Sequence, residues 1–231
     1  MTQAYTRVVA RGIQFDTRYG TSDAQAIKEV VECRAYTRQW FQVESGERWL
    51  DLGVNIGAFS AFAESAGASV VGYEAEATSA HLARRNMELN GFTATIHHAA
   101  VVADSYTAPT VPLYLSNTAY GVWRHSLHAT KGRRAVEVPA VPISSILAGI
   151  DAVKMDIEGV EIEILHSLHD FQGIKKLCFE YHFNVNKPVS LWRHIMERLK
   201  HHFSRVHHRY IPDDAEVYNF FPPATIVFCT R

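Results

Sequence analysis

Two segments of this 231-residue chain combine residue types that do chemistry at regular spacing. The first is Asp51-Leu52-Gly53-Val54-Asn55-Ile56-Gly57, with Glu74 following one strand later. It falls where a short apolar run, 48–52, gives way to a helical one. Glycines at such a turn let a ligand approach the backbone, and the N-terminus of the next helix offers amide donors. An acidic side chain at the end of the following strand is placed to bind both ribose hydroxyls of an adenosine. A dinucleotide site would want GxGxxG, but Asn55 and Ala58 stand where the second and third glycines belong and would crowd a pyrophosphate. Asp51 ahead of GxxxG instead suits S-adenosylmethionine, whose cationic amino-acid end needs carboxylate and amide partners rather than a phosphate cradle. The plainer reading of the same residues is a tight strand–helix turn with no ligand.

The second segment carries Lys154, Asp156 and Glu158, which share one face at the end of a strand, and is followed by Glu180 and His182 with the same spacing of two. Ligands of parallel α/β sheets sit outside the carboxyl ends of the strands, so Asp156, Glu158, Glu180 and His182 converge where these two strands are neighbours, as in the strand order that the family resemblance given below implies. Methyl transfer is an in-line displacement, and most of its catalysis is positioning. A hydroxyl acceptor must in addition lose its proton to a base. His182 is the first choice, because the ordinary imidazole value of ~6.5 lies near working pH. Asp156 is second, and can instead orient the acceptor or His182. Plainer readings stand beside these. Glu158 can stabilise the N-terminus of the next helix, Glu161 and Glu163 can lie on that helix's exposed side, and Lys154 can be a structural ion-pair partner. An oxygen-rich set with one imidazole, Asp156, Glu180 and His182, also suits Mg²⁺ or Mn²⁺, although the sequence requires no metal.

These groups need a frame that brings distant segments together. Ser22-Asp23 followed by AQAIKEVVECRAY predicts an N-capped amphipathic helix. Strands at 48–52, 68–73 and 93–98 alternate with helices at 58–66 and 77–90, the second closed by Asn90-Gly91. This β-α-β-α-β rhythm predicts a parallel α/β sheet. The middle, 103–145, reads as an inserted hairpin (Val111–Leu115, Ala135–Val138) with a polar loop. Tyr120, Trp123, Arg124 and His125 in that loop are expected to wall the acceptor, though a packed hairpin explains them equally. A strand at 152–156, a helix at 160–168, a strand at 175–181, a helix at 188–201 and strands at 203–210 and 225–229 complete the pattern. The expected division is a helical or irregular extension, 1–45, packed on a domain spanning 46–231.

Composition removes several classes. Lys plus Arg total 23 against 24 Asp plus Glu, so no bulk field draws nucleic acid or anionic membrane. Basic clusters at Lys131, Arg133 and Arg134 and at 198–209 keep an RNA-ribose acceptor as a rival, but such clusters are more often solvated faces. Asn219 to Pro223, NFFPP, reads as a turn before the last strand. No apolar run approaches the ~18 residues of a membrane span. The N-terminus has no apolar signal core, and three dispersed cysteines without a CxxC pair suit reduced thiols, so the expected compartment is cytoplasmic. Six of the 13 histidines fall between His182 and His208. Adjacent pairs on a strand point to opposite faces, so they read as surface residues rather than chelators.

DLGVNIGAFSAFA, GYEAE and DAVKMDIEGVEIEIL together resemble the FkbM family of S-adenosylmethionine-dependent methyltransferases, with its D-(I/L)-G-x-N-x-G-x-F and K-(I/M)-D-(V/I)-E-G-x-E segments. FEYHF at 179–183 and EVVECRAY are also similar, so the likeness covers about 23–183. It departs at Tyr73-Glu74-Ala75-Glu76, where Phe-Glu-Pro is more usual, and it fades over 111–134 and 184–231, where acceptor choice is expected to lie. The resemblance implies a Rossmann-like, seven-stranded, mostly parallel sheet in the order 3-2-1-4-5-7-6, with helices on both faces. It implies S-adenosylmethionine as cofactor, with Asp51, Gly53, Asn55 and Gly57 around the methionine and sulfonium end and Glu74 on the ribose. It also implies Ala100 and Val101 at the adenine edge, with Tyr36 and Phe59 lining the pocket. The acceptor class it implies is a hydroxyl of a sugar, glycan or natural-product small molecule. A non-catalytic module that binds the same cofactor remains an alternative.

Overall fold

A computed structural model describes residues 5–118, 125–129, 131–168, 170–171, 173–182, 189–208 and 224–231, without the side chains of 189 and 190. The chain opens with a hairpin, β1 (Tyr5–Ala10) and β2 (Ile13–Arg18), then a short helix α1 (Asp23–Ile27) running into a π-helical turn at Lys28–Glu32. Next come β3 (Arg48–Leu52), α2 (Ala58–Ser65), β4 (Ser69–Glu74), α3 (Ala77–Leu89) and β5 (Thr95–His98). A small second sheet holds β6 (Ala100–Val102), β7 (Thr110–Tyr114) and β8 (Ala135–Pro142), with β8 central. The rest of the main sheet is β9 (Ala152–Met155), β10 (Lys176–His182), β11 (Arg205–His208) and β12 (Ala224–Thr230), with helices α4 (Glu161–Ser167) and α5 (Val189–His202) between its strands.

The main sheet runs β5-β4-β3-β9-β10-β12-β11, and β12 is antiparallel to both its neighbours. Numbering these seven strands by their own chain order, the sequence across the sheet is 3-2-1-4-5-7-6. The order reverses between β3 and β9, which pair in parallel with Asp51 opposite Lys154. At such a switch point the loops after neighbouring strands diverge to opposite faces and leave a crevice at the strands' carboxyl ends. Trp49, Leu50, Asp51 and Leu52 are all wholly buried, as expected for a central strand covered on both faces.

Local chemistry sets several boundaries. The Glu76 carboxylate accepts hydrogen bonds from the backbone of Thr78 and Ser79, capping α3, and Gly91 at φ +68° closes that helix as its sequence predicts. The largest core cluster packs Leu52, Met155, Ile164, Leu165 and Phe179 between the sheet and the helices α4 and α5. A second packs Phe15, Ile27 and Val31 of the N-terminal segment against Ile56 and Leu82. The helix expected over AQAIKEVVECRAY, 24–36, is instead five residues of α1 followed by the π-helical turn. The sequence reading also missed the β1–β2 hairpin, whose turn at Arg11-Gly12 has both residues at positive φ, the geometry that matches strand twist. Among the described residues no helix is long and apolar enough to cross a membrane.

Candidate functional site

The β3–α2 turn is forced into its shape by close approach. Gly53 has φ +77°, and a Cβ there would sit 1.8 Å from the Asp156 carbonyl oxygen. Asn55 is left-handed at φ +52°, and Gly57 at φ +89°. The Asn55 amide donates to Glu74 Oε2 at 2.7 Å, and the Glu76 amide to Glu74 Oε1 at 2.8 Å. Burial pushes the Glu74 carboxyl up while these two amides pull it down, and the net direction is up. The expected ribose carboxylate is therefore locked in place by the main chain of the turn it faces.

A cavity of about 690 Å³, including its mouth, opens over this turn. Gly53, Asn55, Glu74, Ser79, Ala100 and Val101 line it, so the residues expected at the ribose and the adenine edge come together. Asp51 and Gly57 line neither this cavity nor the next. Asp51 is wholly buried beneath the turn, where Ser60 donates to its Oδ2 at 2.7 Å and Lys154 Nζ lies 3.1 Å from its Oδ1. Lys154 Nζ also donates to the Gly53 carbonyl at 2.7 Å. Burial opposes the ammonium's charge, but Asp51 and Asp156 outweigh it and its pKa rises. This is the structural ion pair, holding the turn to β9. His125, expected on the acceptor wall, lines the first cavity instead, its Nδ1 accepting from the Ser116 amide at 3.0 Å. Tyr120, Trp123 and Arg124 lie outside the described residues.

A second, wider cavity of about 1730 Å³, open to solvent, is lined by Tyr36, Phe59, Ser126, His128, Lys154, Glu180 and His182, among others. Tyr36 and Phe59, expected in the cofactor pocket, meet edge to face at 5.8 Å on this side. Gly53, Asn55, Asp156 and Glu158 line both cavities, so the two meet at the ends of β3 and β9.

Asp156, Glu158, Glu180 and His182 converge there as expected. The Tyr36 hydroxyl donates to Asp156 Oδ2 at 2.8 Å, while the buried Asp156 Oδ1 has no hydrogen-bond partner among the described residues. Glu158 sits at φ +58°, a strained conformation for a residue with a long side chain, and its Oε2 is 3.6 Å from His182 Nε2. His182 Nδ1 lies 3.0 Å from Glu161 Oε1. Glu161 corrects an expectation. It is wholly buried rather than on the exposed side of α4, and it also accepts from the Gly159 amide at 3.2 Å. The missed signal is periodic: Glu161, Ile164, Leu165 and Leu168 stand at i, i+3, i+4 and i+7, so the acid lies on the helix's apolar stripe.

Crowded carboxylates reshape the titration of this corner. Burial first, then Asp156, pushes Glu158 up to about 8 and Glu180 up to about 7. For His182, burial works downward, but the hydrogen bond to Glu161 and the charges of Glu161, Asp156 and Glu158 carry it to about 10. The ring is therefore charged at neutral pH rather than poised near 6.5. One donor atom each from Asp156, Glu180 and His182 lies within 4.8 Å of the others, the donor set expected for a divalent ion.

The frame is shared with known proteins of low identity. Pyrococcus horikoshii TYW2 in complex with MeSAdo superposes with a TM-score of 0.51 at 12% identity, covering 99% of this chain and 70% of that one. The putative methyltransferase yhhF from Escherichia coli gives 0.50 at 11% identity, covering 99% and 98%. The Pyrococcus abyssi tRNA (uracil-54, C5)-methyltransferase in complex with S-adenosyl-L-homocysteine gives 0.50 at 13% identity; it covers 98% of this chain, which spans only 44% of that longer one. At such identities the likeness establishes the fold alone. No curated protein matches the sequence. The methyltransferase FkbM domain matches residues 51–206, more than half of the chain and every strand-end acid of the shared wall, and the chain therefore belongs to the FkbM methyltransferase family.

Proposed function

We propose that this methyltransferase moves a methyl group from S-adenosylmethionine to a hydroxyl oxygen of a sugar, glycan or natural-product small molecule. The observation that carries this reading is the shared wall, where Gly53, Asn55, Asp156 and Glu158 border both cavities. The adenosine fits the first cavity, with its ribose hydroxyls on Glu74 and its adenine beside Ala100 and Val101. Gly53 and Asn55 offer backbone to the methionine end, and Asp51, Lys154 and Gly57 keep the turn in shape from below. The sulfonium then faces the carboxyl oxygens of Asp156 and Glu158, whose negative ends complement it. An acceptor enters by the second cavity, past Tyr36 and Phe59. Its oxygen attacks the methyl carbon, the carbon–sulfur bond breaks, S-adenosylhomocysteine leaves neutral at sulfur, and the hydroxyl proton passes to a carboxylate.

Glu158 is the better-placed base, in an ionised share that grows as pH rises toward its value of about 8. It borders both cavities, whereas His182 lines only the second and has Nδ1 committed to Glu161. A strained backbone at a cleft residue is also the mark of a position held for function. Asp156, fixed by Tyr36, orients the acceptor. The segment before residue 46 is part of this arrangement, since Gln25, Glu29 and Tyr36 line the second cavity. His125 borders the cofactor cavity.

The test is transfer of radiolabelled methyl from S-adenosylmethionine into cell extract, fractionated into glycan plus small molecules, nucleic acid and protein. Label in the first fraction supports the reading. Label in RNA would move the acceptor class to nucleic acid and make Lys131, Arg133 and Arg134 its track. Tight cofactor binding with no transfer into any fraction would favour a non-catalytic module.

A further inference from the structure

We propose that Asp156, Glu180 and His182 form a binding site for one divalent cation, of which Mn²⁺ is the best match, with Glu161 as the outer carboxylate that aims the imidazole. Asp156 follows β9, while Glu180 and His182 lie on β10. These strands pair in parallel, with Met155 opposite Phe179, so the three side chains leave adjacent strand ends. Their donor atoms already lie within 4.8 Å of one another, and ligands on opposite sides of one ion are about 4.4 Å apart.

Two further observations point to a ligand rather than to a mere acidic cluster. His182 is 7% exposed, and the buried Glu161 carboxylate takes its Nδ1. That leaves Nε2 as the donor atom, the carboxylate–imidazole arrangement that fixes the tautomer of a metal-bound histidine. Among the described residues Asp156 Oδ1 has no hydrogen-bond partner while Tyr36 holds Oδ2, a buried acceptor left bare at a cost that a cation would remove. Charge agrees. Glu158 and Glu161 bring two further carboxyl groups to the same imidazole, and the Lys154 ammonium is committed to Asp51. One nitrogen with carboxylate oxygens suits a first-row ion better than Ca²⁺. The remaining coordination positions open toward the second cavity, where, on the reading proposed above, they would hold the acceptor's oxygen. The cation takes the place of the proton on Nε2, so His182 is a ligand and not the base.

Binding is read without turnover, by electron paramagnetic resonance of Mn²⁺ titrated into the purified full chain. The expected result is loss of the free-ion signal at one Mn²⁺ per chain, with nitrogen coupling in the pulsed spectrum. His182→Gln removes the nitrogen coupling, and Glu180→Gln, at a partly exposed position, weakens binding about tenfold or more. Glu161→Gln keeps the coupling and weakens affinity about 10–100-fold. Absence of stoichiometric binding by the natural chain, or unchanged affinity and coupling in His182→Gln, overturns the site. Radiolabel transfer is measured separately. Transfer without Mn²⁺ binding sinks the metal alone, and Mn²⁺ binding without transfer sinks the acceptor reading alone.

Discussion

The first cavity takes its polar groups largely from one stretch, Gly53 to Ser79, and fixes them with backbone amides. The second draws Tyr36, Glu158 and the β10 pair Glu180 and His182 from three segments, with side chains holding Tyr36 on Asp156 and His182 on Glu161. Geometry in the first is therefore set by main-chain conformation, and in the second by a balance of charges. A substitution that bends the turn should damage both. Substitutions at the separate carboxylates should damage one and spare the other.

The hardest break in this contrast is Gly53→Ala. The added methyl meets the Asp156 carbonyl, so unfolding free energy should fall by about 4 kcal/mol or more in chemical denaturation. Gly91→Ala, also at positive φ but with nothing within 4 Å among the described residues, should cost only about 1–2 kcal/mol. A small difference between the two would show that close approach is not what shapes the turn. Next, Lys154→Met strands Asp51 in the core and should cost about 3–5 kcal/mol, with part recovered in Asp51→Asn/Lys154→Met. An additive double variant would deny that the pair ties β3 to β9.

The crossed test sharpens the comparison. Glu158→Gln should lower kcat about 10²–10⁴-fold while leaving S-adenosylmethionine affinity nearly unchanged. Glu74→Gln should weaken the cofactor about 10–100-fold, the loss of charge-assisted bonds, with kcat largely kept at saturation. Parallel losses in both parameters for both variants would mean that the cavities act as one.

The smallest effect belongs to the hairpin clamp. Asp16 pairs with Arg7 at 2.8 Å and Arg85 at 2.6 Å. Burial works to raise its carboxyl, but Arg85 and Arg7 outweigh that and hold it below the ordinary aspartate range. A lowered folded value contributes stability that is present above the ordinary value of 3.8 and is lost as pH falls through the folded one. Asp16→Asn should therefore flatten the acid limb of a stability–pH curve below about pH 4 and leave both cavities' ligand affinities alone.

Much of the frame could be read from periodicity and punctuation. Apolar runs bounded by Gly53, Asn90-Gly91 and Pro223 located strands and helices, because burial on one or both faces must repeat at the period of the element. Less legible was any feature that depended on partners far along the chain. The β1–β2 hairpin is held by Asn86, whose side chain bonds the Asp16 backbone and the Ile56 carbonyl. Nothing local to residues 5–18 announces that partner. Glu161 looked like a surface acid because acids usually are, and only its place on the apolar stripe hinted otherwise. Lys154 looked equally fit for chemistry or for pairing until the β3–β9 register put Asp51 beside it.

The sequence by itself determined which residue types were available at the strand ends, and that Asp51 to Gly57, Glu74 and the 154–158 segment belonged to one kind of turn and crevice. Those are short-range facts, written in spacing, glycine positions and helix stops. Tertiary structure alone decided the protonation of His182, the burial of Asp51 and Glu161, and the side of the shared wall on which Tyr36, Phe59 and His125 stand. Charge state and burial are sums over every neighbour in space, and a one-dimensional chain specifies those neighbours only once it has folded.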